Sequence, residues 1–166
     1  MLSWLQRRGM DAASELRQAH RTAALITGGL ITGLVMYAVI ASVFRMSHAP
    51  SEGVASPPAP QMSFARYAAW SASGVVVVAL PGLRRTLLTR RPSETRERAI
   101  ARLTLATVAV GALAEFPAMA GFVLVILGGL FLDFYLLGSL SLALLLAYAP
   151  RYEAWEAWLA TPAPRP

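Results

Sequence analysis

Glu115 is the residue in this chain best placed to do chemistry, because it lies at the centre of residues 103–132, a stretch that carries no other charge. About 20 apolar residues, rising roughly 1.5 Å each, cross the hydrocarbon core of a bilayer. A carboxyl group at the midpoint of such a segment is costly to bury and is a functional candidate by default. Burial disfavours its charged form, so we expect Glu115 to be neutral when it faces lipid and ionised when it faces water. That behaviour is what proton translocation requires.

Three nearby residues complete the candidate proton or ion site. At about 100° per residue, Thr107 and Gly111 lie on the same helical face as Glu115, and their small size favours close packing of a second helix. Pro117 lacks an N–H group, so it leaves the carbonyl of Leu113 without its usual helical partner near the acid. The alternative is structural: a buried acid that hydrogen-bonds to a backbone carbonyl or a hydroxyl and locks two helices together. Both interpretations stay open.

The composition is that of an integral membrane protein. Of 166 residues, 56% are hydrophobic and 14% are charged, against about 25% charged in soluble domains. We predict an all-α bundle of four transmembrane helices and a short interfacial C-terminal helix. The four spans are predicted at about 22–44, 64–88, 94–127 and 134–149. Residues 1–166 then form a single membrane domain with an N-terminal arm (1–21), a Pro/Ser-rich external loop (45–63) and a tail (150–166).

The basic residues predict the orientation. The N-terminal arm, the 84–102 segment and the tail hold four, seven and two arginines, which is thirteen of the fifteen in the chain. The positive-inside rule therefore predicts a protein of the bacterial inner membrane with both termini in the cytoplasm. Since topology explains the charge, no nucleic-acid partner is predicted. Four arginines are candidates for binding anionic lipid head groups, or serve only as a topology signal: Arg84, Arg85, Arg90 and Arg91.

Glycine and proline predict where helices pack, bend and end. Gly29 and Gly33 form a GxxxG motif, which predicts a face where another helix approaches closely, although glycine is common in membrane helices for other reasons. Pro81 predicts a kink or an early end of the second span. Gly128 and Gly129 predict a break before the fourth span, with Asp133 in or near a turn that water reaches.

Other kinds of site receive no support from the sequence. Cysteine is absent, which excludes disulfides and thiolate chemistry. His20 and His48 have no metal-ligand spacing, and we expect them to be isolated and exposed to solvent. We find no catalytic constellation and predict no metal or cofactor.

Arg90-Arg91-Pro92 precedes the third predicted span, and Ala112-Leu113-Ala114-Glu115-Phe116-Pro117-Ala118-Met119-Ala120-Gly121-Phe122-Val123 surrounds its acid. Residues 91–127 in this respect resemble the second helix of the ATP synthase c subunit, the rotor-ring proteolipid, in which a cytoplasmic loop leads into a helix with an ion-binding carboxylate at its midpoint. The resemblance implies that Glu115 binds a proton or Na⁺. The chain as a whole resembles small four-helix bacterial membrane proteins without an assigned function.

Two functions follow, with different roles for the same acid. The first is a non-enzymatic proton-site subunit that uses Glu115 for ion translocation. The second is a structural or assembly subunit in which Glu115 is a helix–helix hydrogen-bonding latch. An embedded enzyme is disfavoured because the acid lacks a second catalytic group. The predicted partners are the lipid bilayer and either further copies of the chain or a larger membrane complex.

Overall fold

The structure, a computed structural model, describes residues 2–47, 59–89 and 94–161, with only the backbone for 2–13 and 59. Within these ranges the fold is all-helical, as predicted. The five helices are α1 (Leu2–Ser47), α2 (Ala59–Leu87), α3 (Arg96–Gly128), α4 (Phe131–Ala147) and α5 (Tyr152–Ala160). By length and composition, α1, α2 and α3 can each cross a membrane, and α4 together with α5, bent by 48°, makes a fourth candidate.

Helix α1 is twice as long as the first predicted span. It begins at Leu2 rather than at residue 22, so the N-terminal arm is helical and continuous with the apolar segment. The arginines before residue 22 mark the edge of the apolar segment. They do not end the helix, because the helix propensity of arginine is as high as that of most apolar residues. No proline interrupts the 46 residues, which extend for about 69 Å, well beyond a hydrocarbon core of roughly 30 Å.

The bounds of α2 and α3 differ from prediction by a few residues. Helix α2 begins at Ala59, so both edges of the predicted 45–63 loop are helical, and residues 48–58 lie outside the described part. The helix continues through Pro81 to Leu87 rather than ending at the proline. Helix α3 begins after Thr95 rather than at residue 94. Glu94 instead binds Arg102, with an oxygen–nitrogen distance of 2.7 Å.

The predicted break between the third and fourth helices is present at Gly129. Its φ of 64° lies in the left-handed region that favours glycine, and its N–H group caps the carbonyls of Leu124 and Val125. The chain turns within two residues, so α4 runs back along α3 from Phe131. At 17 residues, about 25 Å, α4 is short for a span.

Helix α3 is the central helix, and it packs against α1, α2 and α4. The buried residues of α1 recur at helical spacing along one face: Leu16, Ala23, Thr27, Leu34 and Ala41. A core of buried side chains drawn from all four long helices lies at mid-bundle: Leu34, Leu80, Val110, Ala114, Ala118 and Leu145.

Helix α5 is packed against the end of the bundle where α2 ends and α3 begins, which we call the arginine-rich end. Trp155 is buried against Leu16 of α1 and Leu103 of α3. The Trp158 Nε1–H group donates to the carbonyl of Leu88 at 3.1 Å. The prediction of an isolated His20 is wrong, because its ring lies 3.2 Å from the Pro150 carbonyl and edge-on to Trp155. His48 lies outside the described residues.

Candidate functional site

Glu115 lies halfway along α3, partly buried, with its carboxyl group turned toward α1. The Tyr37 hydroxyl donates a hydrogen bond to Glu115 Oε1 at 3.1 Å, and this contact joins two helices 78 residues apart in the chain. The carboxyl group therefore pairs with a side chain of α1 rather than with the Leu113 carbonyl expected from Pro117. Tyr37 was not identified from the sequence. The only sequence feature that points to Tyr37 is its helical spacing from the α1 residues that face the bundle.

The two glycines of the GxxxG motif have different surroundings. A β-carbon built at Gly33 would lie 3.3 Å from Glu115 Oε1, so this glycine permits the approach of α1 to the acid. A β-carbon built at Gly29 would meet no heavy atom within 4 Å. Packing against Gly29 stays a prediction.

Gly111 lies at the same α1–α3 contact, one turn before Glu115. A β-carbon there would come within 2.9 Å of Leu30 Cδ1, so the Leu30 side chain fills the space that the glycine leaves. Thr107 is engaged by its own helix, since its hydroxyl donates to the Leu103 carbonyl at 2.9 Å. Thr104 does the same with Ile100. These two hydroxyls therefore do not extend toward the carboxyl group.

Pro117 is buried, and a side chain of α4 forms hydrogen bonds with the backbone beside it. The Ala118 N–H group donates to Ser141 Oγ at 2.8 Å, and the Ser141 hydroxyl lies 3.4 Å from the Glu115 carbonyl oxygen, to which it donates. Ser141 is itself fully buried. The residue that carries the acid is thus held from two sides, through its side chain by α1 and through its backbone by α4. Ser141 could not be identified from the sequence, because no local pattern indicates which α4 hydroxyl contacts the backbone beside Pro117.

An aromatic layer separates Glu115 from the end of the bundle opposite to the arginine-rich end. Tyr37 stacks on Phe122 with 5.3 Å between ring centroids, and Phe122 contacts Phe134 at 6.2 Å. Unlike Tyr37, Phe122 and Phe134 have no hydrogen-bonding group that carries a proton. On this side, therefore, the acid meets an apolar barrier.

Asp133 lies beyond that barrier and is buried, with 3% of its surface exposed, contrary to the prediction that water reaches it. Its Oδ1 accepts hydrogen bonds from Arg66 Nε at 3.0 Å and from Trp70 Nε1 at 2.8 Å. Arg66 is half-exposed, so it satisfies the buried carboxylate from the outside. This pair joins α2 to the start of α4, and sequence analysis missed it because Asp133 and Arg66 are separated by 67 residues.

The structure describes two of the four arginines that were predicted to bind lipid head groups. Arg84 and Arg85 lie exposed in the last turn of α2, whereas Arg90 and Arg91 are outside the described residues. Across the described ranges, no three His, Asp or Glu side chains are grouped so that they could hold a metal ion.

Comparison with known protein families, with curated proteins and with solved structures gives no match to this chain.

Proposed function

We propose that this chain is a non-enzymatic structural or assembly subunit of a membrane complex, in which Glu115 is a latch between α1 and α3. The hydrogen bond from Tyr37 to Glu115 Oε1 carries the proposal. It joins the two helices at the point where Gly33 allows them to approach. Interhelical hydrogen bonds within membranes contribute about 0.6 kcal/mol on average and up to roughly 1.7 kcal/mol.

The surroundings of Glu115 favour a hydrogen-bonding latch between helices over a site on a proton pathway. The phenyl rings of Phe122 and Phe134 lie on one side of it. On the other side, the Thr104 and Thr107 hydroxyls are bonded to their own backbone. A translocated proton needs polar groups or water leading to both surfaces.

A proton-site subunit is the second candidate, and one observation favours it. Glu115 is only partly buried, and among the described residues no cationic side chain forms an ion pair with it. A tyrosine hydroxyl both donates and accepts, so the contact with Tyr37 can persist when the acid gains a proton. The α1–α3 contact therefore does not require Glu115 to stay in one protonation state.

The proposed location is the bacterial inner membrane with both termini in the cytoplasm. Helix α4 supports this orientation, because it returns the chain to the arginine-rich end, where α5 packs on Leu16 and Leu103. The N-terminal half of α1, the end of α2, the start of α3 and α5 therefore share one end. Among the described residues, that end carries ten of the twelve arginines.

Two substitutions of one residue separate the two functions. Glu115→Gln keeps a hydrogen-bonding group but cannot release a proton, whereas Glu115→Leu keeps neither. A latch predicts that Glu115→Gln retains assembly and unfolding stability, while Glu115→Leu loses about 1 kcal/mol and assembles poorly. The readouts are unfolding in mixed micelles and complex size in mild detergent.

A different outcome would support the proton-site function. If Glu115→Gln folds and assembles normally but abolishes proton flux that wild-type proteoliposomes show, the proton-site function replaces the latch. Labelling by a hydrophobic carbodiimide between about pH 5 and 9 gives an independent check, because only a protonatable acid within reach of lipid reacts.

A further inference from the structure

A groove opens at the arginine-rich end between the last turn of α2 and the end of α4. Its volume is about 620 Å³, and it is lined by Pro81, Arg84, Arg85, Leu88, Thr89 and Tyr148. The apolar segments of both helices end here, so the groove has an apolar floor and a basic rim. We call it the arginine groove.

Arg84 is held in position at this rim. Its guanidinium carbon lies 5.4 Å from the centre of the Tyr148 ring, in a cation–π contact between α2 and α4. Arg84 and Arg85 are both exposed, and among the described residues neither forms an ion pair with an acid. Two positive charges therefore face the groove, and no carboxylate from the described part of the chain compensates them.

The end of α2 does not need these guanidinium groups as caps. Arginine near a helix C-terminus commonly binds the last free carbonyls, where the helix dipole is negative. Here the Thr86 hydroxyl donates to the Leu83 carbonyl at 2.8 Å, and the Thr89 hydroxyl donates to the Arg85 carbonyl at 3.0 Å. Trp158 of α5 donates to the Leu88 carbonyl. With these carbonyls satisfied, both guanidinium groups remain available to an external anion.

We propose that the arginine groove binds one phospholipid with an anionic head group. The head-group phosphate lies between Arg84 and Arg85, because the planar guanidinium group matches phosphate oxygens in a two-point hydrogen bond. The acyl chains run from the phosphate toward the centre of the bilayer, over the Tyr148 ring and Pro81. Charge complementarity at the rim and an apolar floor that continues into the spans select a lipid over a soluble anion. The proposal does not depend on Glu115.

Native mass spectrometry of the full chain in mild detergent tests the proposal, with phosphatidylglycerol as the probe. Wild type retains one lipid per chain, in preference to phosphatidylcholine with the same acyl chains. Each arginine near a charged surface contributes about fivefold in affinity, so Arg84→Gln combined with Arg85→Gln weakens retention about 25-fold. Arg151→Gln removes an exposed arginine at the same end but outside the groove, and it leaves retention unchanged.

Three results would overturn the proposal. The first is that the double variant retains phosphatidylglycerol as well as wild type does. Arg151→Gln could weaken binding as much as Arg85→Gln does, which would indicate diffuse attraction to the whole basic end. Glycerol phosphate could displace the lipid at equal concentration, which would indicate an anion site without an acyl-chain groove. The single Arg85→Gln variant, with helix content checked by circular dichroism, serves if the double variant does not fold.

Discussion

Gly33 on α1 faces Glu115 on α3 so closely that a β-carbon on the glycine would lie 3.3 Å from Oε1 of the acid. That oxygen also accepts the hydrogen bond from Tyr37, one helical turn further along α1. A methyl group at Gly33 must therefore shift the carboxyl group that the tyrosine holds by a few tenths of an ångström. Gly29, the other glycine of the motif, faces open space and provides a matched control.

Gly33→Ala should weaken the α1–α3 contact, because the added methyl group moves the acid away from Tyr37. Gly29→Ala should be neutral or stabilising, since alanine favours a helix over glycine by about 1 kcal/mol. Unfolding in mixed micelles should then separate the two variants by about 1 kcal/mol. Equal stability of the two would show that the close approach at Gly33 does not matter.

Gly121 sets the separation of α3 and α4. A β-carbon there would lie 3.0 Å from the Phe134 Cα, a backbone atom that cannot move aside as a side chain can. Gly121→Ala should cost about 1–3 kcal/mol of unfolding free energy through overpacking. Gly138→Ala, on α4 with nothing within 4 Å, should cost nothing, and a similar loss in both variants would contradict the explanation.

Ser141 satisfies the backbone beside Pro117, so its removal should be costly. Ser141→Ala leaves the Ala118 N–H group without its acceptor in a buried position, which costs about 1–3 kcal/mol. Ser139 is on the same helix but exposed, and Ser139→Ala should leave unfolding stability unchanged. Native Ser141→Ala stability would mean that the helix re-forms its ladder across the proline.

The Asp133 contact should depend more on the buried acid than on its arginine. Asp133→Ala removes the acceptor of both Arg66 and Trp70, and we expect a loss of about 2 kcal/mol. Arg66→Gln should cost less than about 1 kcal/mol, because the 51% exposed arginine side chain is replaceable by water. An equal loss in both, measured by unfolding, would indicate a fully desolvated ion pair.

The proposed orientation can be measured directly, since the chain has no cysteine of its own. Thr161→Cys in intact cells should resist a membrane-impermeant maleimide and react only after the membrane is opened. Gln61→Cys, at the start of α2, should react from outside. Ser47→Cys, at the end of α1, is the control that must behave like Gln61→Cys. Labelling of Thr161→Cys in intact cells would refute the proposed cytoplasmic C-terminus.

Long charge-free stretches gave the positions of the apolar helices, because hydropathy depends on composition alone. Gly128 and Gly129 marked the break, because glycine adopts the left-handed conformation that ends a helix. The sequence also identified one acid at the middle of a span. It misplaced the start of α1, because a change in charge marks the edge of a membrane and does not stop a helix.

The partners of the acid were decided only by tertiary structure. A helical sequence fixes which of its residues share a face, but not which neighbouring helix meets that face, or at what height. Tyr37 meets Glu115 and Ser141 meets Ala118 because α1 and α4 pack on α3 with particular rotations. The burial of Asp133 has the same origin, since Arg66 and Trp70 reach it only after α2 docks beside the α3–α4 turn. These rotations depend on packing between residues far apart in the chain, which no local pattern records.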